Sequence, residues 1–331
     1  KGKSLPSIYG ASEPQMNANN LRTKGYELVL GWRDSFKLAG STFSYGITGT
    51  FSDYTAEYTK CDNPTGLIGD PYVGKKYGEI WGYKVDGLFR NDKEAAEYAS
   101  RIDLSTVASG YYTATGAYGK GVRGGDIKYL DLNGDNIVNG GKGTLDDPGD
   151  RRVIGNSSPR YQYGASLNFS WYGFDVSVFM QGIGRLDWYP GADNLRFWGP
   201  YCRPYATFVP KNFMSQVWSE ENPDAYFPRA RAYTSLNSNS GTAYYTNDRY
   251  LQNLAYCRLK NLTIGYTIPR RLTSKVGIKE CRIYFSGENL ATWSALKSDF
   301  LDPEQAAADS DKKANVYPWC KTYSIGLNLT F

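Results

Sequence analysis

Apolar and polar residues alternate with period two over runs of about ten positions, and this constrains the chain more than any other feature. From Tyr161 to Trp171, the residues Tyr161, Tyr163, Ala165, Leu167, Phe169 and Trp171 share one face. Gln162, Gly164, Ser166, Asn168 and Ser170 share the other. After a tight turn at Tyr172-Gly173, Phe174, Val176, Val178 and Met180 continue the apolar face, opposite Asp175, Ser177 and Gln181. Similar runs begin near Tyr26, Phe43, Leu262, Ile283 and Tyr323, so the sequence reads as seven strands. Soluble strands average ~5–6 residues. A tilted strand needs about 9–11 residues to cross a bilayer, and aromatic residues gather at its interfacial ends. The alternation therefore predicts an all-β chain of transmembrane antiparallel strands, with the polar face lining a wet lumen.

Short connections are expected after Arg33, Trp171 and Ile268, and long ones after Tyr54, Gly184 and Thr292. In bacterial outer-membrane barrels the short turns are periplasmic and the long loops external. The loops at about 56–157, 186–250 and 293–320 are then external. A chain that begins outside and ends inside crosses an odd number of times, whereas single-chain bacterial barrels are even-numbered. The expectation is a C-terminal segment, residues 1–331, of a larger barrel whose other strands lie upstream of Lys1.

Composition excludes several chemistries. Histidine is absent, which removes His-dependent triads and His metal sites. The five cysteines, Cys61, Cys202, Cys257, Cys281 and Cys320, form no C-x-x-C. Cys257 and Cys281 are expected at opposite ends of neighbouring strands and unbonded to each other. The net charge of +5 comes without a basic cluster, so nucleic acid is not an expected partner. Mean hydropathy of -0.53 suits a barrel as well as a soluble protein.

Two stretches invite a site. Asp131, Asn133, Asp135 and the Ile137 carbonyl are spaced like the start of an EF-hand loop, a pattern that suits Ca²⁺. Asn136 stands where Gly is usual, and the insertion Gly140–Gly149 would let Asp150 close the site. The alternative is an Asp/Asn/Gly turn held by local hydrogen bonds. In the second long loop, Trp188, Trp198 and Tyr201, flanked by Arg196 and Arg203, could contact substrate or a partner, or else pack the loop. Asp299, Asp302 and Glu304 are loop acids with nothing to fix a catalytic pair, so no enzyme is expected.

Several stretches together resemble the SusC/RagA group of TonB-linked outer-membrane importers. They include L-P-S-I-Y-G-A-S-E-P-Q-M-N-A (Leu5–Ala18), G-D-I-K-Y-L-D-L-N-G-D (Gly125–Asp135) and D-R-R-V-I-G-N-S-S-P-R-Y-Q-Y-G (Asp150–Gly164). Further on come W-S-E-E-N-P-D-A-Y-F-P-R (Trp218–Arg229), Y-C-R-L-K-N-L-T-I-G-Y-T-I-P (Tyr256–Pro269), R-I-Y-F-S-G-E-N-L (Arg282–Leu290), L-D-P-E (Leu301–Glu304) and Y-S-I-G-L-N-L-T-F (Tyr323–Phe331). The resemblance implies a barrel of about 22 strands, with the plug domain absent from this chain. It implies a SusD-like surface lipoprotein as a lid, TonB acting through the missing plug, and active import of glycan or peptide oligomers across the bacterial outer membrane. It also implies that Phe331 serves as the barrel-assembly signal. A passive outer-membrane porin and a surface β-rich glycan-binding protein are the alternative readings.

Overall fold

A computed structural model describes residues 17–113, 121–202, 209–231, 241–298, 300–308 and 317–331. Thirteen strands are present among them: β1 (Asn20–Leu38), β2 (Ser41–Lys60), β3 (Glu79–Tyr83), β4 (Val85–Leu88), β5 (Ile127–Tyr129), β6 (Arg151–Asn156), β7 (Arg160–Trp171), β8 (Phe174–Arg185), β9 (Asp187–Trp188), β10 (Gln252–Asn253), β11 (Tyr256–Thr267), β12 (Glu280–Ser294) and β13 (Thr322–Thr330). Seven of these, in the order β1-β2-β7-β8-β11-β12-β13, form one antiparallel sheet. β1 and β13 are its edges, so the sheet is open, as part of a larger barrel would be. Among the described residues no helix is long and apolar enough to cross a membrane.

The register carries the alternation across the whole sheet. Tyr45, Phe169, Val176, Ile264, Phe285 and Ile325 pair in succession along one apolar row. On the opposite face Gly46, Asn168, Ser177, Thr263, Ser286 and Ser324 form a small, polar row. Among the described residues no core covers the apolar side: Ile325 is 84% exposed and Trp32 62%. Apolar surface of this extent on strands of this length is the lipid-facing band of a membrane barrel.

The hairpin turns explain two boundaries. Tyr172 and Gly173 have φ of 49° and 83°, the left-handed pair that a two-residue hairpin turn demands. Ala39 and Gly40 repeat this at 46° and 85°. β1 therefore runs to Leu38, five residues past the Arg33 boundary expected from sequence. Asp34 interrupts the apolar face there, but Phe36 resumes it and packs on Phe43 with ring centroids 5.3 Å apart. The β11–β12 turn is longer and contains a helical turn, Arg270–Thr273. Cys257 pairs with Trp293 and Cys281 with Leu329, at opposite ends of this hairpin, and the two thiols are unbonded to each other.

The other ends of the strands carry long connections over 61–159, 186–255 and 295–321. They fold into a second layer with its own core, which we call the cap. Phe89, Tyr129 and Val138 from the first loop join Trp198, Phe227 and Tyr250 from the second, and Leu301 and Ala306 from the third.

Candidate functional site

The cap is built from short elements that none of the loops could stabilise alone. Helix α1 (Asp92–Ala99) starts at Asn91, whose side chain accepts the Glu94 N–H, while Glu94 accepts the Arg90 N–H in return. The helix buries Ala95 against the cap core. Asn247, fully buried, donates to the Tyr189 hydroxyl at 3.0 Å and accepts the Tyr250 N–H. The Tyr129 hydroxyl donates to the carbonyl of Thr242, so buried tyrosines stitch the first loop to the second. Burial pushes the Tyr129 and Tyr189 phenols far up from their ordinary range, which keeps them neutral donors.

One ion pair lies wholly inside this layer. Asp126 and Arg231 are 1% and 4% exposed and form a two-pronged pair at 2.6 and 3.0 Å. The Arg231 guanidinium also lies 4.1 Å from the Tyr111 ring centroid. Burial raises the Asp126 carboxyl from 3.8 to about 6, against the opposing pull of Arg231 and of the more distant Arg229.

The aromatic residues proposed from sequence as contact groups do not form an open surface. Trp188, Trp198 and Tyr201 are 5%, 0% and 2% exposed. Trp198 packs edge-on against Phe197 and Tyr250, and its indole N–H donates to Gly191 O at 3.0 Å. Tyr201 stacks on Phe227 and donates to the Pro228 carbonyl. Stacking on one another removes more apolar surface from water than a surface platform would. Arg196 is exposed, and its carbonyl accepts a hydrogen bond from Ser298 of the third loop. Arg203 lies outside the described residues.

The Asp-rich segment is organised by its own backbone. Asp131 accepts the N–H groups of Gly134 and Asn136, Asn133 accepts that of Asp135, and Asp135 accepts that of Ile137. Asn136 has φ 64°, a left-handed position that Asn tolerates in place of Gly. The insertion does bring Asp150 back to the loop. It arrives fully buried and accepts three N–H groups, from Leu132, Asn133 and Asn139. No group of three or more acidic or cysteine side chains among the described residues is placed to hold a metal. The hydrogen bonds present are those of successive Asx turns.

The cap meets the sheet through charges that the sequence did not connect. Beneath the cap, within the sheet, Arg160 of β7 reaches Asp53 of β2 at 2.5 and 2.6 Å, beside a cavity of about 430 Å³ lined in part by Tyr54, Lys76, Tyr77 and Tyr161. Arg258 of β11 pairs with Asp302 at 2.7 Å and Glu304 at 2.8 Å, and Lys260 with Glu304 at 2.7 Å. Asp302 and Glu304 are thus paired with the sheet rather than solvated. Asp299 lies outside the described residues. At the far end of the sheet, Phe331 is 72% exposed and its carbonyl accepts from Lys279 at 2.7 Å.

No family model matches the chain. Two proteins of Formosa agariphila named TonB-dependent receptor are 24% and 26% identical to it over 99% of its length. The chain spans 30% and 31% of those relatives. A solved structure of the RagAB peptide transporter superposes with a TM-score of 0.61 at 18% identity, covering 99% of this chain and 31% of that one. The RagAB peptide importer in its open-open state gives a TM-score of 0.60 with matching coverage of this chain. With an open sheet whose apolar face is bare, the chain has the fold of part of an outer-membrane β-barrel like that of the RagAB transporter, and it is similar along nearly its whole length to proteins named TonB-dependent receptor.

Proposed function

We propose that this chain supplies a wall segment and the external loop cap of a TonB-dependent importer that carries oligomeric nutrients across the bacterial outer membrane. In this reading the segment is C-terminal, and the remainder of the same protein contributes the plug and the other strands. A SusD-like surface lipoprotein lies over the cap, and TonB acts through the plug. The cargo is a glycan or peptide oligomer, and the solved neighbour named a peptide transporter supports a cargo of that size class. One observation carries the reading most directly. All three long loops gather at one end of the sheet and share a single core, giving a formed outer layer above a polar wall. A passive pore of simple turns and hydrated loops needs no such layer.

The test uses the full-length protein in its own membrane. Uptake of labelled oligosaccharide and oligopeptide pools is compared in cells with and without TonB. The proposal expects uptake of one pool to stop without TonB, and a surface lipoprotein to co-purify with the barrel. Uptake that persists without TonB would establish a passive pore instead.

A further inference from the structure

The β11–β12 hairpin is regular except at one level. Leu259 pairs with Ala291 and Asn261 with Glu288, so Lys260 bulges on one strand and Asn289-Leu290 on the other. Asn289 takes φ 52° to allow it. The bulge reverses the alternation, so Arg258 is level with Gln181 and Thr292 on the polar, lumenal face. Its guanidinium is then fully engaged, with Nε on Thr292 at 2.9 Å and the two terminal nitrogens on Asp302 and Glu304. Lys260 completes the cluster on Glu304 and lies 5.1 Å from the Trp319 ring centroid.

The segment 300–308 that brings these acids has two unlike sides. Asp302 and Glu304 face the wall, while Leu301 and Ala306 belong to the cap core. The segment is internally braced: Asp302 accepts the Glu304 N–H at 2.9 Å, and its carbonyl accepts that of Ala306 at 2.8 Å. It is a wedge, apolar towards the cap and ionic towards the lumen wall. The wall contact has two positive and two negative side chains, 3% to 20% exposed. Such a pairing loses hydration on closing and regains it on opening, so its two states lie near each other in free energy. An apolar seam would have no comparable open state in a water-filled lumen.

We propose that Arg258 and Lys260 with Asp302 and Glu304 form a latch that holds residues 300–308 against the lumen wall and releases them as a unit when solute passes. The role in passage rests on the transport reading. The latch itself does not, and its first readout is independent of uptake.

Hydrogen exchange of the full-length protein in detergent, compared with the Asp302→Asn/Glu304→Gln variant, tests it. Removing the acids leaves Arg258 buried without a counter-charge, so amides of 300–308 should exchange roughly a hundredfold faster while β11 and β12 keep their protection. Lys260→Gln, a milder change, should accelerate the same amides by about tenfold. Reversing the pair with Arg258→Asp/Asp302→Arg should restore part of the protection. Single-channel conductance of the double variant in planar bilayers should exceed that of the wild type. Unchanged exchange at 300–308, or equal acceleration of β11 and β12, would overturn the latch, because the cluster would then be inert or simply part of the wall. Loss of TonB-dependent uptake alone, with exchange as expected, would leave the latch standing and remove only the transport reading.

Discussion

Replacing Trp198 by Ala separates packing from recognition in the aromatic loop. Trp198 is fully buried, with Phe197 and Tyr250 rings at 4.8 and 5.0 Å and its indole N–H on Gly191. Truncating a buried Trp costs about 3–5 kcal/mol. Leaving the Gly191 carbonyl without its donor adds about 1 kcal/mol. The expected loss is therefore about 4–6 kcal/mol, a large part of the ~5–15 kcal/mol that holds a domain together. It should fall on the cap alone, since no ladder bond of the seven-stranded sheet runs through this residue. Mass-spectrometric hydrogen exchange on the full-length protein reads this directly. Peptides over 186–202 and 241–254 should exchange at least about a thousandfold faster, while those over β7 and β8 stay protected. Trp198→Phe, which keeps a ring but loses the indole donor, should show a smaller effect. If Trp198→Ala left cap exchange within about tenfold of wild type and abolished cargo binding, the residue would be a contact group and the packing argument would fail.

The Asp126 carboxyl gives the cap a pH dependence. Its folded value of about 6 lies above the ordinary 3.8, so the folded cap holds the proton more tightly than the unfolded one. Its contribution is fully present below about pH 4 and is lost as pH rises through about 6, a swing of about 3 kcal/mol. Cap exchange between pH 4 and 7, corrected for intrinsic chemistry, should show this, and Asp126→Asn should flatten it. A cap that tightens as pH rises over that window would contradict the sign. Ala39→Asn should stabilise the β1–β2 hairpin by about 1 kcal/mol, since Ala is strained at φ 46°. An unchanged or lower unfolding temperature of the barrel would refute it. Peptide mapping without reductant should recover Cys257 and Cys281 in separate peptides, and a bridge between them would refute the register.

The sheet was legible because its signal is local and repeated. Each apolar run from Tyr26 to Phe331 shows its own period, and consecutive long strands pair with one another whether the link between them is short or long. It failed where that period broke: at Asp34, which hid the last turn-ward residues of β1, and at Lys260, whose bulge moves Arg258 to the other face. The cap was not legible. Trp188, Trp198 and Tyr201 have no periodicity, so nothing local distinguishes an exposed aromatic from a buried one. What packs Trp198 and Tyr201 is contact between distant parts of one loop, as between Trp198 and Tyr250 or Tyr201 and Phe227. Asp126 and Arg231 stand 105 residues apart, and Arg258 and Glu304 stand 46 apart. The quoted motifs around Arg258 and Glu304 contained both partners, but only the register places them together.

The shared core of the cap also sets an order of events during biogenesis. Its ties span long stretches of chain: Tyr129 meets Thr242 across 113 residues and Asn247 across 118. Closing loops of this length is entropically costly before any contact repays it, so these ties form late. The strands can zip with their neighbours one at a time, whereas the shared core of the cap cannot be completed until three separate loops have all reached the same side of the membrane. Until then Trp198, Phe227 and Tyr250 of the second loop have only one another to pack against, and each emerging loop is a sticky, half-finished surface. Assembly therefore has to deliver the loops in quick succession, or shield the first while the third is still in transit.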